Sequence, residues 1–156
     1  MIKKLEKLCL QKQFNRSEAE EIIRTIDVNQ VFKSSDFDLD TTLLNRAVDG
    51  ANYEMIELLL HHGANPNLVH NGENVLWDLQ YSSDDVEEDK IRLSIVKLFL
   101  ENGANPRLKI DGYELIEWAI SNWGKDEDLQ SDYRFKYINL LEEYDFNAKP
   151  HNNTLK

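Results

Sequence analysis

The sequence predicts an all-α solenoid of about four stacked helix-turn-helix repeats, joined by hairpin-like turns and capped at both ends by degenerate copies. Three observations predict it. An apolar helix ending in Gly-Ala-Asn-Pro occurs twice, at residues 56–67 and 96–107, with its stop glycines Gly63 and Gly103 40 residues apart. The turn dipeptides Asn71-Gly72 and Asp111-Gly112 recur at the same interval. Between these signals lie short segments carrying one apolar stripe each at helical spacing, too little to fold alone, so neighbours must stack.

Residues 2–12 place Ile2, Leu5, Leu8 and Cys9 on one helical face. A second helix starts at Ser17, with Glu20 three residues on completing a capping box, and its stripe is Ala19, Ile22, Ile23 and Ile26. The next pair opens at Thr41-Thr42, with Leu44, Ala47 and Val48 inward. A turn at Asp49-Gly50-Ala51-Asn52 leads to Met55, Ile56, Leu59 and Leu60. Gly63 stops that helix and Pro66 prevents its continuation. The third pair carries Val75, Leu76 and Leu79, then Ile95, Val96, Phe99 and Leu100. The fourth carries Leu115, Ile116, Ala119 and Ile120. Its last helix has Asp132 as cap and Phe135, Ile138, Leu140 and Leu141 as stripe. Thr42 and Asn74, the corresponding helix starts, lie 32 residues apart. The longer third interval is assigned to extra residues between the helices, within 81–90, and removing roughly eight of them restores a period of about 33.

On these residues the chain resembles the ankyrin-repeat family. Thr42-Leu43-Leu44-Asn45-Arg46-Ala47 stands for the family's T-P-L-H-x-A, and Gly63-Ala64-Asn65-Pro66-Asn67 for G-A-D-x-N; Gly103-Ala104-Asn105-Pro106-Arg107 repeats the latter. The likeness is clearest over residues 38–122. Leu43, Val75 and Leu115 replace the usual proline, and Asn45, Trp77 and Glu117 the usual histidine. The expected organisation is one array over 1–147, in repeats of about 1–35, 36–68, 69–108 and 109–147, followed by a disordered tail at 148–156.

The formal net charge of -11 over 156 residues argues against a nucleic-acid backbone as ligand. Lys3, Lys4, Glu6 and Lys7 interrupt any leader-like apolar run, and no transmembrane stretch exists, so the chain reads as cytoplasmic. Cys9 is the single cysteine and reads as a small core residue. Adjacent helical residues point about 100° apart, so His61-His62 does not chelate as a pair, and His70 and His151 supply no motif. The glycines serve turns and stops, leaving no phosphate loop. No nucleophile signature and no cofactor motif is present, and the chain is expected to be non-catalytic, monomeric and free of bound metal.

What the resemblance implies is binding of another protein through a concave surface of turns and first helices. On this chain the turn positions are Asp38, Leu39, Thr41, His70, Asn71, Glu73, Ile110, Asp111 and Tyr113, and the helix positions Asp49, Gly50, Tyr81, Ser82, Ser121 and Asn122. Tyr113 is the preferred anchor, being aromatic with a polar tip. Independently, the insertion sets Asp84, Asp85, Glu87, Glu88 and Asp89 against Lys90. A second inter-helix segment holds Asp126, Glu127, Asp128 and Asp132 against Lys125. Both read as acidic loops, rooted by Tyr81 and Trp123, that suit a basic partner. Two rival readings follow: an inhibitor or immunity-type protein neutralising a basic enzyme such as a nuclease, and a small enzyme or divalent-cation-dependent domain using the acidic loops. The spacing of those carboxylates matches no EF-hand.

Overall fold

A computed structural model describes residues 1–123 and 132–145. Among these residues, eight α-helices and four two-residue strands alternate in the expected pairwise order. The chain divides into two compact units, Met1–Leu68 and Val69–Lys156.

The first unit runs α1 (Ile2–Cys9), α2 (Arg16–Ile23), β1 (Phe32–Lys33), β2 (Asp40–Thr41), α3 (Leu43–Asp49) and α4 (Tyr53–His61). α1 packs on α2 and α3, and α3 on α4. Leu5, Leu8, Cys9, Ala19, Ile23, Leu44, Ala47, Ile56 and Leu59 are buried, as their spacing requires. Leu43 and Leu58 are fully buried as well, so α3 and α4 are covered on more than a single stripe. Ile26 falls beyond the end of α2. The cap of α2 is Asn15, not Ser17. Its side chain accepts from the Glu18 N–H at 3.1 Å, and its extended backbone suits a cap, so the helix begins before Ser17.

One turn locks the two helix pairs of this unit together. Asn52 caps α4 by accepting from the Met55 N–H, while its amide donates to the carbonyls of Leu8, Cys9 and Gln11 at the end of α1. The Leu8 carbonyl also accepts from the Gln11 N–H, and the buried Asn52 adds a side-chain donor to the carbonyls at this helix end. Beside it, a Cβ on Gly50 would stand 2.5 Å from the Cys9 carbonyl oxygen. Gly50, expected on a recognition face, is instead a packing contact.

The second unit runs α5 (Val75–Asp78), α6 (Val86–Glu101), β3 (Lys109–Ile110), β4 (Tyr113–Glu114), α7 (Leu115–Trp123) and α8 (Asp132–Glu143). α8 packs on α6 and α7. Ile95, Val96, Phe99, Leu100, Leu115, Ile116 and Ala119 are buried, whereas Ile120 is exposed. The stripe of α8 differs from expectation. Tyr133 and Tyr137 are buried, and Phe135 is 68% exposed. The hydroxyls decide this: Tyr137 donates to the Leu76 carbonyl at 2.5 Å, and Tyr133 donates to the Leu79 carbonyl. α5 has only four residues, so its carbonyls need such outside donors, and phenylalanine has none to give. Asp132 is the first residue of α8 rather than its cap, and pairs with Lys136 at 2.9 Å.

Both apolar helices stop in the same way. Gly63 (φ 93°) and Gly103 (φ 92°) are left-handed, and Ala64 and Ala104 donate back to Leu59 and Phe99 in Schellman motifs. The loops that follow are also alike: the Asn65 and Asn105 side chains accept from the N–H groups of Asn67 and Arg107.

Candidate functional site

In the second unit, Asp111 (φ 52°) and Gly112 turn the chain between β3 and β4, pairing Ile110 with Tyr113. A tip of two left-handed residues matches the twist of the flanking strands. The same geometry recurs at Asn71 (φ 51°) and Gly72, bridging His70 to Glu73. Tyr113 is 61% exposed. α7 starts directly after β4, so its outward residues continue from the hairpin. Together they wall a groove of about 370 Å³ lined by Tyr113, Glu114, Glu117, Trp118, Ser121 and Asn122.

The groove is bordered by a carboxylate cluster and a row of rings. Arg107 bonds Asp145 through Nε and Nη2 at 2.9 and 2.8 Å, and Nη1 reaches Glu114 at 2.7 Å and Glu117 at 3.5 Å. Its hydrogen bonds to Asp145 and then Glu114 hold the guanidinium above its usual pKa range. Trp118 meets Trp77 at 5.8 Å and Trp123 at 6.0 Å, and Trp123 meets Tyr81 at 6.0 Å. Trp123 is fixed from two sides: its Nε1 donates to the buried Gln80 at 2.8 Å, and the Arg134 guanidinium lies 3.9 Å from its ring centroid. Tyr81 and Trp123, read as loop roots, are therefore in contact. Trp118, Glu114 and Glu117 were not among the site residues expected. The signal was present in Glu117-Trp118, a charge and an indole where the motif has histidine and a variable residue.

The first acidic segment is mostly not a loop. α6 begins at Val86 and absorbs Glu87, Glu88, Asp89 and Lys90 into its first turns. Asp85 caps it by accepting from the Glu87 N–H at 2.9 Å, Asp89 accepts from the Ser83 N–H at 2.7 Å, and Glu87 pairs with Lys90 at 3.0 Å. Carboxylates at a helix N-terminus are stabilised by its unsatisfied N–H groups and dipole, which is why the insertion lengthens the helix. Asp84 stays exposed outside it. Asp126, Glu127 and Asp128 lie outside the described residues, as does the expected tail.

In the first unit, Asp38 is exposed at a left-handed turn position (φ 53°), and Asp49 is exposed and paired with Arg46 at 3.1 Å. Thr41 is buried, not available on the turn. It lies where β2 runs into the cap of α3, and its hydroxyl donates to the Thr42 carbonyl at 3.4 Å. His70 is likewise only half-exposed. Beneath the β1–β2 turn sits a buried ion cluster. Arg46 (4% exposed) reaches Glu6 (2% exposed) at 3.2 Å and Asp36 at 2.7 Å, and Glu6 accepts from the Ser35 N–H and hydroxyl at 2.9 and 2.5 Å. Burial opposes the charge on Glu6, but the two Ser35 hydrogen bonds, with Lys3 and Arg46 nearby, outweigh it and lower its pKa.

His62 Nε2 stands 3.0 Å from the Glu20 carboxylate, which that hydrogen bond holds below its usual range. Burial raises the Cys9 thiol to about 12, too high for a thiolate nucleophile at neutral pH. Among the described residues, no group of three His, Cys, Asp or Glu side chains is placed to hold a metal ion, and no helix is long and apolar enough to cross a membrane.

Among curated proteins, none matches the chain significantly. A family model, that of the ankyrin repeat, matches residues 40–71, the segment from β2 through α3 and α4 to the Asn71 turn. The helix pair and the Gly63 stop fall inside that match, which ends at Asn71, before Gly72 completes the following turn. Over residues 40–71 the chain is similar to the ankyrin repeat.

Proposed function

We propose that the chain is a non-catalytic module that binds a partner protein, and that both units are built of ankyrin-type helix pairs with degenerate copies at the two ends of the chain. Ankyrin repeats generally mediate protein–protein interaction. The observation that carries the reading to a surface is the groove of about 370 Å³ between the exposed Tyr113 and Asn122 on α7, an open face with an aromatic anchor and polar rim. Asp111, Asn71, Glu73, Tyr81 and Trp123 belong to the proposed surface of the second unit, with His70 at its margin. Asp38 and Asp49 are the first unit's contribution.

A basic partner is the version favoured by the net charge of -11, because long-range attraction raises the encounter rate. The inhibitor reading is a special case of it. The structure supports that version less through residues 84–90 than the sequence did, since Asp85, Glu87 and Asp89 have intramolecular partners. The test is affinity capture from the source cell with wild type, Tyr113→Ala and, as an exposed control on α8, Phe135→Ala. A partner retained by wild type and Phe135→Ala but lost from Tyr113→Ala is expected. Equal retention by all three places the interface elsewhere.

A further inference from the structure

We infer that the groove beside α7 receives an arginine side chain of the partner, its guanidinium lying between the Glu117 carboxylate and the Trp118 indole. This deepens the proposed protein-binding role and rests on it. The molecule holds its own guanidinium groups with the same two kinds of surface. Arg107 is clasped by Asp145 and Glu114, and Arg134 lies 3.9 Å from the centroid of Trp123, the ring that contacts Trp118. Carboxylate and indole are the two surfaces that a planar guanidinium engages best, by paired hydrogen bonds and by stacking.

Unused capacity points to an incoming group rather than to Arg107. Glu114 is bonded at 2.7 Å, but Glu117 meets the same nitrogen only at 3.5 Å, the limit of a hydrogen bond, and its side chain is 68% exposed. Its carboxylate therefore retains most of its acceptor sites. Trp118 lines the groove half-buried, and Tyr113 stands exposed at the open end. Among the described residues no lysine or arginine lines the groove itself, and Arg107, which engages Glu114 at 2.7 Å, approaches Glu117 only at 3.5 Å. Arginine is preferred to lysine because the site offers a flat ring beside a carboxylate, which suits a fork more than a point charge.

The test uses the full chain, uniformly ¹⁵N-labelled, titrated with capped pentapeptides Gly-Gly-X-Gly-Gly in which X is arginine, lysine or citrulline. Citrulline keeps the shape of arginine without its charge. The expected result is saturable shifts centred on the Trp118 indole N–H and the amides of Tyr113 and Glu117, strongest for arginine and about tenfold weaker in affinity for citrulline. Glu117→Gln, a conservative change at an exposed side chain, should weaken arginine binding about tenfold while leaving the remaining spectrum in place. Two results overturn the inference: no localised shift with arginine, or equal affinity for arginine and citrulline. Either leaves the protein-binding reading standing if Tyr113→Ala still loses its partner in the capture experiment, so the two failures are distinguishable.

Discussion

Two residues carry opposite lessons about charge. Arg46 and Glu6 form a pair that is almost fully buried, and removing one partner leaves the other charged and desolvated. Glu6→Gln is expected to cost about 3 kcal/mol, read from urea melts, whereas the exposed Asp84→Asn should change stability by less than about 0.5 kcal/mol. The pair also sets a pH dependence. Glu6, Glu20 and Asp36 all have lowered pKa values, so the folded state binds protons less readily than the unfolded chain. Their stabilisation is complete above the unfolded carboxylate values, near pH 4 to 4.5, and is lost as pH falls through the lower folded values. Thermal melts between about pH 6 and pH 2 should show this loss, and Glu6→Gln should flatten it. Neither Glu6 nor Arg46 was legible as buried, because each is a charged residue on a short amphipathic helix whose neutralising partner lies on another element. Tyr133 and Tyr137 were missed for a related reason. Phe135 is the more apolar choice by composition, but only a hydroxyl can satisfy the carbonyls of Leu76 and Leu79. Tyr137→Phe should cost about 1–2 kcal/mol despite preserving the ring.

Local signals announced the ends of elements better than they set their lengths. The Schellman stops at Gly63 and Gly103, the Thr42 cap and the tips at Asn71-Gly72 and Asp111-Gly112 were legible because each depends on backbone conformation within a few residues. Gly63→Ala and Gly103→Ala, at φ 93° and 92°, should each cost about 1 kcal/mol. Gly50→Ala belongs to another class. Its φ of −81° is ordinary, and its penalty comes from the Cys9 carbonyl 2.5 Å from the new carbon. An expected loss of about 1–3 kcal/mol would mark it as a packing position. The start of α6 shows the limit of spacing arguments. The period required extra residues, but carboxylates read as a solvated loop are also the best first turn of a helix. Asp85→Ala should cost about 1 kcal/mol through the lost cap, with helix content falling by circular dichroism.

At the scale of the whole chain, one loop position repeats its task in both units. Asn29 bonds the Gly63 carbonyl and the Asn65 N–H of the next loop, and Arg107 bonds Asp145 of the loop that follows it. Within each unit the first helix pair thus reaches the second through the loop after its second helix, which fits nearest-neighbour stacking. The repeat pattern was legible because periodicity survives substitution. The groove was legible in part: Tyr113, Ser121 and Asn122 were expected on the binding face, whereas Glu114, Glu117 and Trp118 were not, because they line it only where the hairpin tip and α7 meet. The central claim is that function lies on this hairpin and α7 face. Hydrogen–deuterium exchange of the captured complex tests it most directly. The account predicts new protection over residues 109–122, with α8 and the outer turns of α6 unchanged. Protection confined to α6 and α8, with residues 109–122 exchanging as in the free chain, would contradict it.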